Sequence, residues 1–250
     1  MLPKRNRLAA AAIAAAAAAA FSVPVFAQNT LNVICPVQAE WCNAAAVAFE
    51  KETGIKVGMT LKGSGESFAQ IAAEKANPKL DVWFGGTGDP HLQAAEQGLL
   101  EEYKSPLLAQ LQPWAQRQAE QSKYRTVGIY LGALGIGYNT ELLAKKKVAA
   151  PACWKDLVKP EFAGEVQMAN PNASGTAYTA IATLVQVFGE EEAFKYLKAL
   201  HRNINNYPRS GVAPIKAAAR GETLASVSCI HDAATEGQAG CPVKGGGPCE

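Results

Sequence analysis

The chain carries almost no surplus of either charge, only three histidines in 250 residues, and none of the short signatures that mark a catalytic centre. There is no G-x-S-x-G, S-x-x-K, H-E-x-x-H or G-x-x-x-x-G-K, so serine hydrolases, zinc peptidases and P-loop enzymes lose their usual footprint. No two cysteines are spaced C-x-x-C, which removes the common zinc and dithiol patterns. The one histidine near a cysteine is His231, two residues after Cys229, and neither a metal site nor a cofactor is expected. Basic residues are scattered; Lys145-Lys146-Lys147 is the one run and reads as a solvated helix end, so nucleic acid is not an expected partner.

What is present starts at the N-terminus. Lys4, Arg5 and Arg7 precede an apolar, alanine-rich run from Leu8 to Phe21, and Val25-Phe26-Ala27 offers small residues where a signal peptidase reads. Residues 1–27 therefore read as a cleaved secretory signal. Leu8 to Ala27 barely reaches the roughly 20 residues of a membrane span, and Pro24 interrupts it. Gln28, not cysteine, stands immediately after the cleavage point, so a lipid anchor is not expected. The signal holds three of the 24 basic residues and none of the 22 acidic ones, which turns the formal charge of +2 into −1 for the exported part.

All six cysteines (Cys35, Cys42, Cys153, Cys229, Cys241, Cys249) lie in that exported part. An even number in an oxidising compartment suggests disulfides, with fifteen pairings open. Cys35 and Cys42 are the easiest to join, because a strand end and the next helix bring them together.

Elements alternate at short intervals. Leu31 to Cys35 reads as a strand, Ala39 to Glu52 as a helix with Trp41, Ala45, Ala48 and Phe49 at helical spacing, and Ile55 to Leu61 as a strand after the Thr53-Gly54 break. Phe68 to Lys75 reads as a helix, Asp81 to Phe84 as a buried strand, and His91 to Gln97 as a helix closed by Gly98. A second block begins near Tyr130: a strand at Leu134 to Tyr138, a helical turn at Trp154 to Val158 and a strand at Glu165 to Met168. Helices follow at Thr176 to Phe188, Glu190 to Arg202 and Ile215 to Arg220, then a buried strand at Leu224 to Ile230. Lys244 to Pro248 reads as a turn or loop, leaving no final packed element. This alternation predicts an α/β fold with parallel sheets.

Three loops place small residues before a predicted helix: Lys62 to Ser67, Gly85 to Pro90 and Asn170 to Thr176. Glycines let a ligand approach the backbone, hydroxyls donate, and a helix N-terminus carries unpaired N–H groups and partial positive charge. Each alone is an ordinary helix cap; two from one block and one from the other suggest loops that face each other across a cleft. His231-Asp232 follows a predicted strand, the end at which open α/β sheets meet their ligands, though Asp232 equally suits a plain N-cap. His91 reads as a helix-start residue and His201 as a surface residue.

Several pieces then resemble family 1 extracellular solute-binding proteins. Asp81-Val82-Trp83-Phe84-Gly85-Gly86 with the segment Leu92 to Leu100 looks like their first-domain signature, and Leu134-Gly135-Ile136-Gly137-Tyr138-Asn139 like the crossing into the second. Pro151 to Leu157, Pro160 to Gly164 and Asn170 to Thr176 are similar to the second-domain start of the ferric-iron-type branch. The resemblance implies a two-lobed, hinged periplasmic-binding-protein (type II) fold, with a first lobe over 28–131 and a second over 132–250. It implies a monomeric, non-enzymatic periplasmic substrate-binding protein that serves the permease and ATPase subunits of an ABC transporter. Ferric binders of that branch carry adjacent tyrosines in the second lobe; no Tyr-Tyr occurs here, and Cys229-Ile230-His231-Asp232 resembles instead a subgroup that binds phosphorylated sugars. Ser64, Thr87, Ser174, Thr176, His231 and Asp232 carry over as ligand contacts. Ferric iron, phosphonate, polyamine or an unphosphorylated sugar stay open as cargo, and a periplasmic hydrolase using His231 and Asp232 is the reading from another class. The family also usually continues past the point reached by Glu250 to finish the first lobe. The resemblance therefore implies a shortened chain, or a non-functional remnant, with apolar surface left on that lobe.

Overall fold

A computed structural model describes residues 30–249; the signal sequence read at 1–27 lies outside them. The described chain forms two α/β layers. In the first, β1 (Thr30–Cys35) is the middle strand of three, flanked in parallel by β2 (Lys56–Leu61) and β3 (Val82–Trp83). Its inner residues Val33, Ile34 and Cys35 are buried. Helix α1 (Ala39–Thr53) returns the chain from β1 to β2 and stops where Gly54 takes a φ of +73°, a left-handed turn that costs glycine little. Cys35 and Cys42 are joined, as expected, which ties the end of β1 to the first turns of α1.

Helices α2 (Ser64–Ala73) and α3 (Gly88–Glu96) pack against each other beside this sheet. The strand expected over Asp81 to Phe84 shrinks to Val82 and Trp83, and Val82 is 39% exposed, because β3 is an edge with a neighbour on one side only. The chain then passes through a 3₁₀ turn (Leu108–Gln110) and α4 (Pro113–Gln121), a helix the apolar pattern did not announce, and enters the second layer.

That layer has five strands in the order β6 (Ile204–Asn206), β5 (Val166–Met168), β7 (Ala225–Cys229), β4 (Leu134–Asn139), β8 (Val243–Gly246). β5 runs parallel to β6 and β7, whereas β4 is antiparallel to both β7 and β8, so the sheet is mixed rather than parallel throughout. Around it lie α5 (Thr140–Lys146), α6 (Gly175–Phe188), α7 (Glu190–His201), α8 (Ala213–Ala219) and α9 (Ile230–Gln238). Asn139 ends β4 and caps α5: its side chain accepts from the Leu142 N–H at 2.8 Å and donates to the Ala218 carbonyl at 2.7 Å. α7 opens with Glu190, Glu191 and Glu192, where acidic groups meet the positive end of the helix dipole.

The main core sits in this second layer. Trp154, Leu157, Phe162, Val166, Leu184, Leu200 and Leu224 are each at most 2% exposed and pack in one cluster. The Tyr196 hydroxyl donates to the Trp154 carbonyl at 2.6 Å, at the start of a 3₁₀ turn over Trp154–Val158. Truncating a fully buried tryptophan or phenylalanine costs about 3–5 kcal/mol, so Trp154 and Phe162 are positions whose loss would weaken the fold strongly. The first layer is thinner: Trp41, Val47, Phe49, Leu61 and Val82 all keep substantial exposure.

One local reading is corrected. Lys244 to Pro248 is not simply a loop, since Val243–Gly246 forms β8, an edge strand on β4. Glycine makes this possible: a β-carbon on Gly135 would collide with the Gly246 carbonyl, and one on Gly245 would lie 2.7 Å from the Ala233 side chain. A second disulfide, Cys153–Cys249, secures the segment just beyond it.

Candidate functional site

Between the two layers lies a cleft of about 890 Å³, a size that suits a small solute. Its walls are the first turns of helices. Ser64 and Glu66 open α2, Gly88 and Asp89 open α3, Gly175 and Thr176 open α6, and His231 and Asp232 open α9. Helices from both layers therefore turn their N-termini, with unpaired N–H groups and partial positive charge, toward one space. All six residues singled out in the sequence line it: Ser64, Thr87, Ser174, Thr176, His231 and Asp232.

The loop boundaries needed correction here. Ser64 to Ser67, expected as loop, is the first turn of α2, because the Glu66 carboxylate accepts from the Gly63 N–H at 3.1 Å and the Ser67 N–H returns to the Gly63 carbonyl. Likewise α3 begins at Gly88 rather than His91. His91 points away from the cleft, stacked on Trp83 with ring centroids 3.8 Å apart and bonded to the Gly85 carbonyl. Burial holds its imidazole below the ordinary range, and it braces α3 rather than facing the cleft.

The hydroxyls differ in how they are engaged. Ser174 caps α6, accepting from the Ala177 N–H at 3.4 Å, and the Thr87 N–H donates to Ser64 Oγ at 3.3 Å. Thr87 Oγ1 is buried without a hydrogen-bond partner. Gly86, at φ +96°, is held by Tyr130, whose hydroxyl accepts from its N–H at 2.7 Å and donates to its carbonyl at 2.9 Å. Burial, opposed by the bond with Gly86, raises the Tyr130 phenol above its ordinary range.

Asp232 is 5% exposed and accepts from the Gln38 side chain; His231 Nε2 stands 3.5 Å from its Oδ1. Burial raises the Asp232 carboxyl above the ordinary range, against the pull of His231, Gln38 and Lys216. The His231 ring stacks over Trp41 at 6.1 Å, and Trp41 meets Tyr130 edge-on at 5.6 Å. Burial likewise pushes the Cys229 thiol up to about 11, with Asp232 adding to the shift and a hydrogen bond from Thr176 opposing it.

The two layers touch across the cleft. The Gly65 N–H donates to the Ala173 carbonyl at 3.1 Å, Glu66 pairs with Arg209, and Glu40 stands 3.8 Å from Lys216. Sequence reasoning missed Arg209, Lys216, Gln38 and Tyr130, all of which line the cleft, as does Lys62 at the head of the first candidate loop. One signal was available: Ser210-Gly211 precedes α8 in the same small-residue pattern as the other loops.

Residues 77–235 match the bacterial extracellular solute-binding protein family. An uncharacterized protein of Haemophilus influenzae is 45% identical over 225 residues, which cover 90% of this chain and 65% of that relative. The periplasmic binding protein AfuA of Actinobacillus pleuropneumoniae, solved with exogenous fructose-6-phosphate bound, superposes with a TM-score of 0.82 at 44% identity, over 88% of this chain and 69% of AfuA. The periplasmic binding protein P5PA gives 0.84 at 42% identity, over 89% of this chain and 70% of its own. The chain thus spans about two thirds of the length of these relatives. With the matched segment running from before β3 into α9, through the cleft-lining turns of both layers, the chain belongs to the bacterial extracellular solute-binding protein family.

Proposed function

We propose that this chain is the substrate-binding component of an ABC importer, and that it captures a small phosphorylated sugar in the periplasm without turning it over. The observation that carries the reading is the convergence of four helix N-termini, from two separate sheets, on one cleft that also holds an unpaired threonine hydroxyl at Thr87. Such an arrangement favours a compact anion with several acceptor oxygens. The polar side chains on its walls, Gln38, His231 and Asp232 among them, suit the hydroxyls of a sugar, and the fructose-6-phosphate bound to AfuA is a ligand of that chemistry.

Ser64, Thr87, Ser174 and Thr176 are assigned to the phosphate and its neighbouring oxygens, His231 and Asp232 to hydroxyls deeper in the cleft. Residues 28–131 form the first lobe and 132–250 the second, closing on the ligand as a hinged pair. The loaded state is what a permease and its ATPase would read. Relatives in the family are binding proteins, and the absent catalytic signatures agree with binding alone.

The test is a thermal-shift titration of residues 28–250 with fructose 6-phosphate, fructose and inorganic phosphate. A saturable rise in Tm with the sugar phosphate, larger than with either fragment, supports the reading. Equal responses to all three, or consumption of the sugar phosphate during the assay, would overturn it.

A further inference from the structure

Cys229 ends β7, and His231 and Asp232 begin α9, so a strand-to-helix corner presents a thiol, an imidazole and a carboxylate at one wall of the cleft. One donor atom from each lies within 4.8 Å of the other two. Sulfur, nitrogen and oxygen ligands at that separation approach the set that a borderline divalent cation prefers. Zinc bonds of about 2.0–2.3 Å in a tetrahedron put ligand atoms roughly 3.5 Å apart, which small side-chain rotations here would reach. We propose that Cys229, His231 and Asp232 form a binding site for a zinc-class divalent cation, with its fourth position open to the cleft.

The surroundings bear on this from both directions. Lys216 and the N-terminus of α9 oppose a cation, while the Asp232 carboxylate and the Cys229 thiolate each supply a negative charge once the metal displaces their protons. His231 keeps about a third of its side-chain surface exposed, so the ring is free to turn. Asp232 is already positioned by Gln38, and Thr176 donates toward the sulfur; both would orient ligands from behind. Adjacent tyrosines suit hard ferric iron, whereas a thiolate and an imidazole suit a softer ion. No spacing pattern announces this set, since the familiar zinc motifs separate their ligands into pairs far apart in the chain. The site shares His231 and Asp232 with the sugar-phosphate reading but needs none of the phosphate contacts, so zinc uptake and sugar-phosphate binding are read by separate measurements and can fail separately.

The experiment uses untagged residues 28–250, stripped with EDTA and desalted into phosphate-free buffer. Zinc chloride is titrated against a chromogenic chelator, and cobalt chloride against absorbance. The expected result is one equivalent of zinc and a near-ultraviolet thiolate-to-cobalt band. Cys229→Ser and His231→Ala should each weaken zinc binding by about 100-fold, at or beyond what losing a supporting residue costs. Cys241→Ser, which removes the other free thiol of the described residues, should leave it unchanged. No uptake at millimolar zinc, uptake without the cobalt band, or uptake indifferent to both His231→Ala and Cys229→Ser would overturn the proposal. His231→Ala keeps the test decisive if the half-buried Cys229→Ser variant fails to fold.

Discussion

Gly175, at the start of α6, and Thr87, just before α3, come so close across the cleft that no side chain fits between them. A β-carbon on Gly175 would lie 2.8 Å from Ser64 Oγ and nearer still to Thr87 Oγ1. Gly175 has no positive φ, so alanine is acceptable to its own backbone and only the opposite wall objects. Gly175→Ala should therefore fold with unchanged circular dichroism but hold the two layers apart. Its affinity for a sugar phosphate should fall by roughly tenfold or more, about 1.4 kcal/mol. Calorimetry checks this; wild-type affinity in the variant would mean that the seam does not need to close for binding.

The unpaired hydroxyl of Thr87 supplies the sharpest contact test. Thr87→Val keeps the shape and removes the oxygen, so the free protein loses no hydrogen bond. A hydrogen bond to a charged group contributes about 1.5–3 kcal/mol, and binding of fructose 6-phosphate should weaken by roughly 10- to 100-fold. Binding of unphosphorylated fructose, if measurable, should change much less. A uniform loss for both sugars would place Thr87 away from the phosphate.

The three small-residue loops were legible because their cue is local: glycine and hydroxyl residues before an apolar helical period. Their exact limits were not. Ser64 to Ser67 is helical because Glu66 reaches back to Gly63 and because Gly65 docks on Ala173, a contact from the opposite layer that no local window contains. β8 was read as loop for a related reason. Glycine-rich sequence usually marks a turn, yet Gly245 and Gly246 pair with β4, and a β-carbon on Gly245 would clash with the Ala233 side chain. Arg209 and Lys216 were invisible as site residues, since an isolated basic residue carries no pattern until the fold brings Glu66 and Glu40 to it.

The two disulfides should differ in weight. Cys35–Cys42 spans 7 residues and Cys153–Cys249 spans 96. Loop-closure entropy then assigns about 2.4 kcal/mol to the first and about 4.7 kcal/mol to the second. Cys153→Ala should lower the urea midpoint more than Cys42→Ala. The reverse order would show that pinning β1 to α1 matters more to the thin first layer than chain entropy does.

Two aspartates should shape the pH dependence of stability in opposite directions. Asp156 accepts from the Ala152 and Cys153 N–H groups and pairs with Lys159, and its carboxyl is drawn down to about 2. A depressed folded value means stabilisation that is present above the unfolded value near 3.8 and is lost as pH falls through about 2. Asp232 is the other case. Burial raises its carboxyl, with His231, Gln38 and Lys216 opposing and Glu236 reinforcing. The folded state then holds the proton more tightly than the unfolded one, so Asp232 costs stability as pH rises through its raised range and ceases to cost it below. Asp232→Asn should raise the denaturation midpoint near neutral pH and leave it unchanged at low pH, because the amide oxygen can still accept from Gln38. Asp156→Asn should lower the midpoint near neutral pH and converge with wild type only at strongly acid pH. Urea midpoints from pH 2 to 8 check both, and a neutral-pH loss in Asp232→Asn would show that its partners outweigh its desolvation.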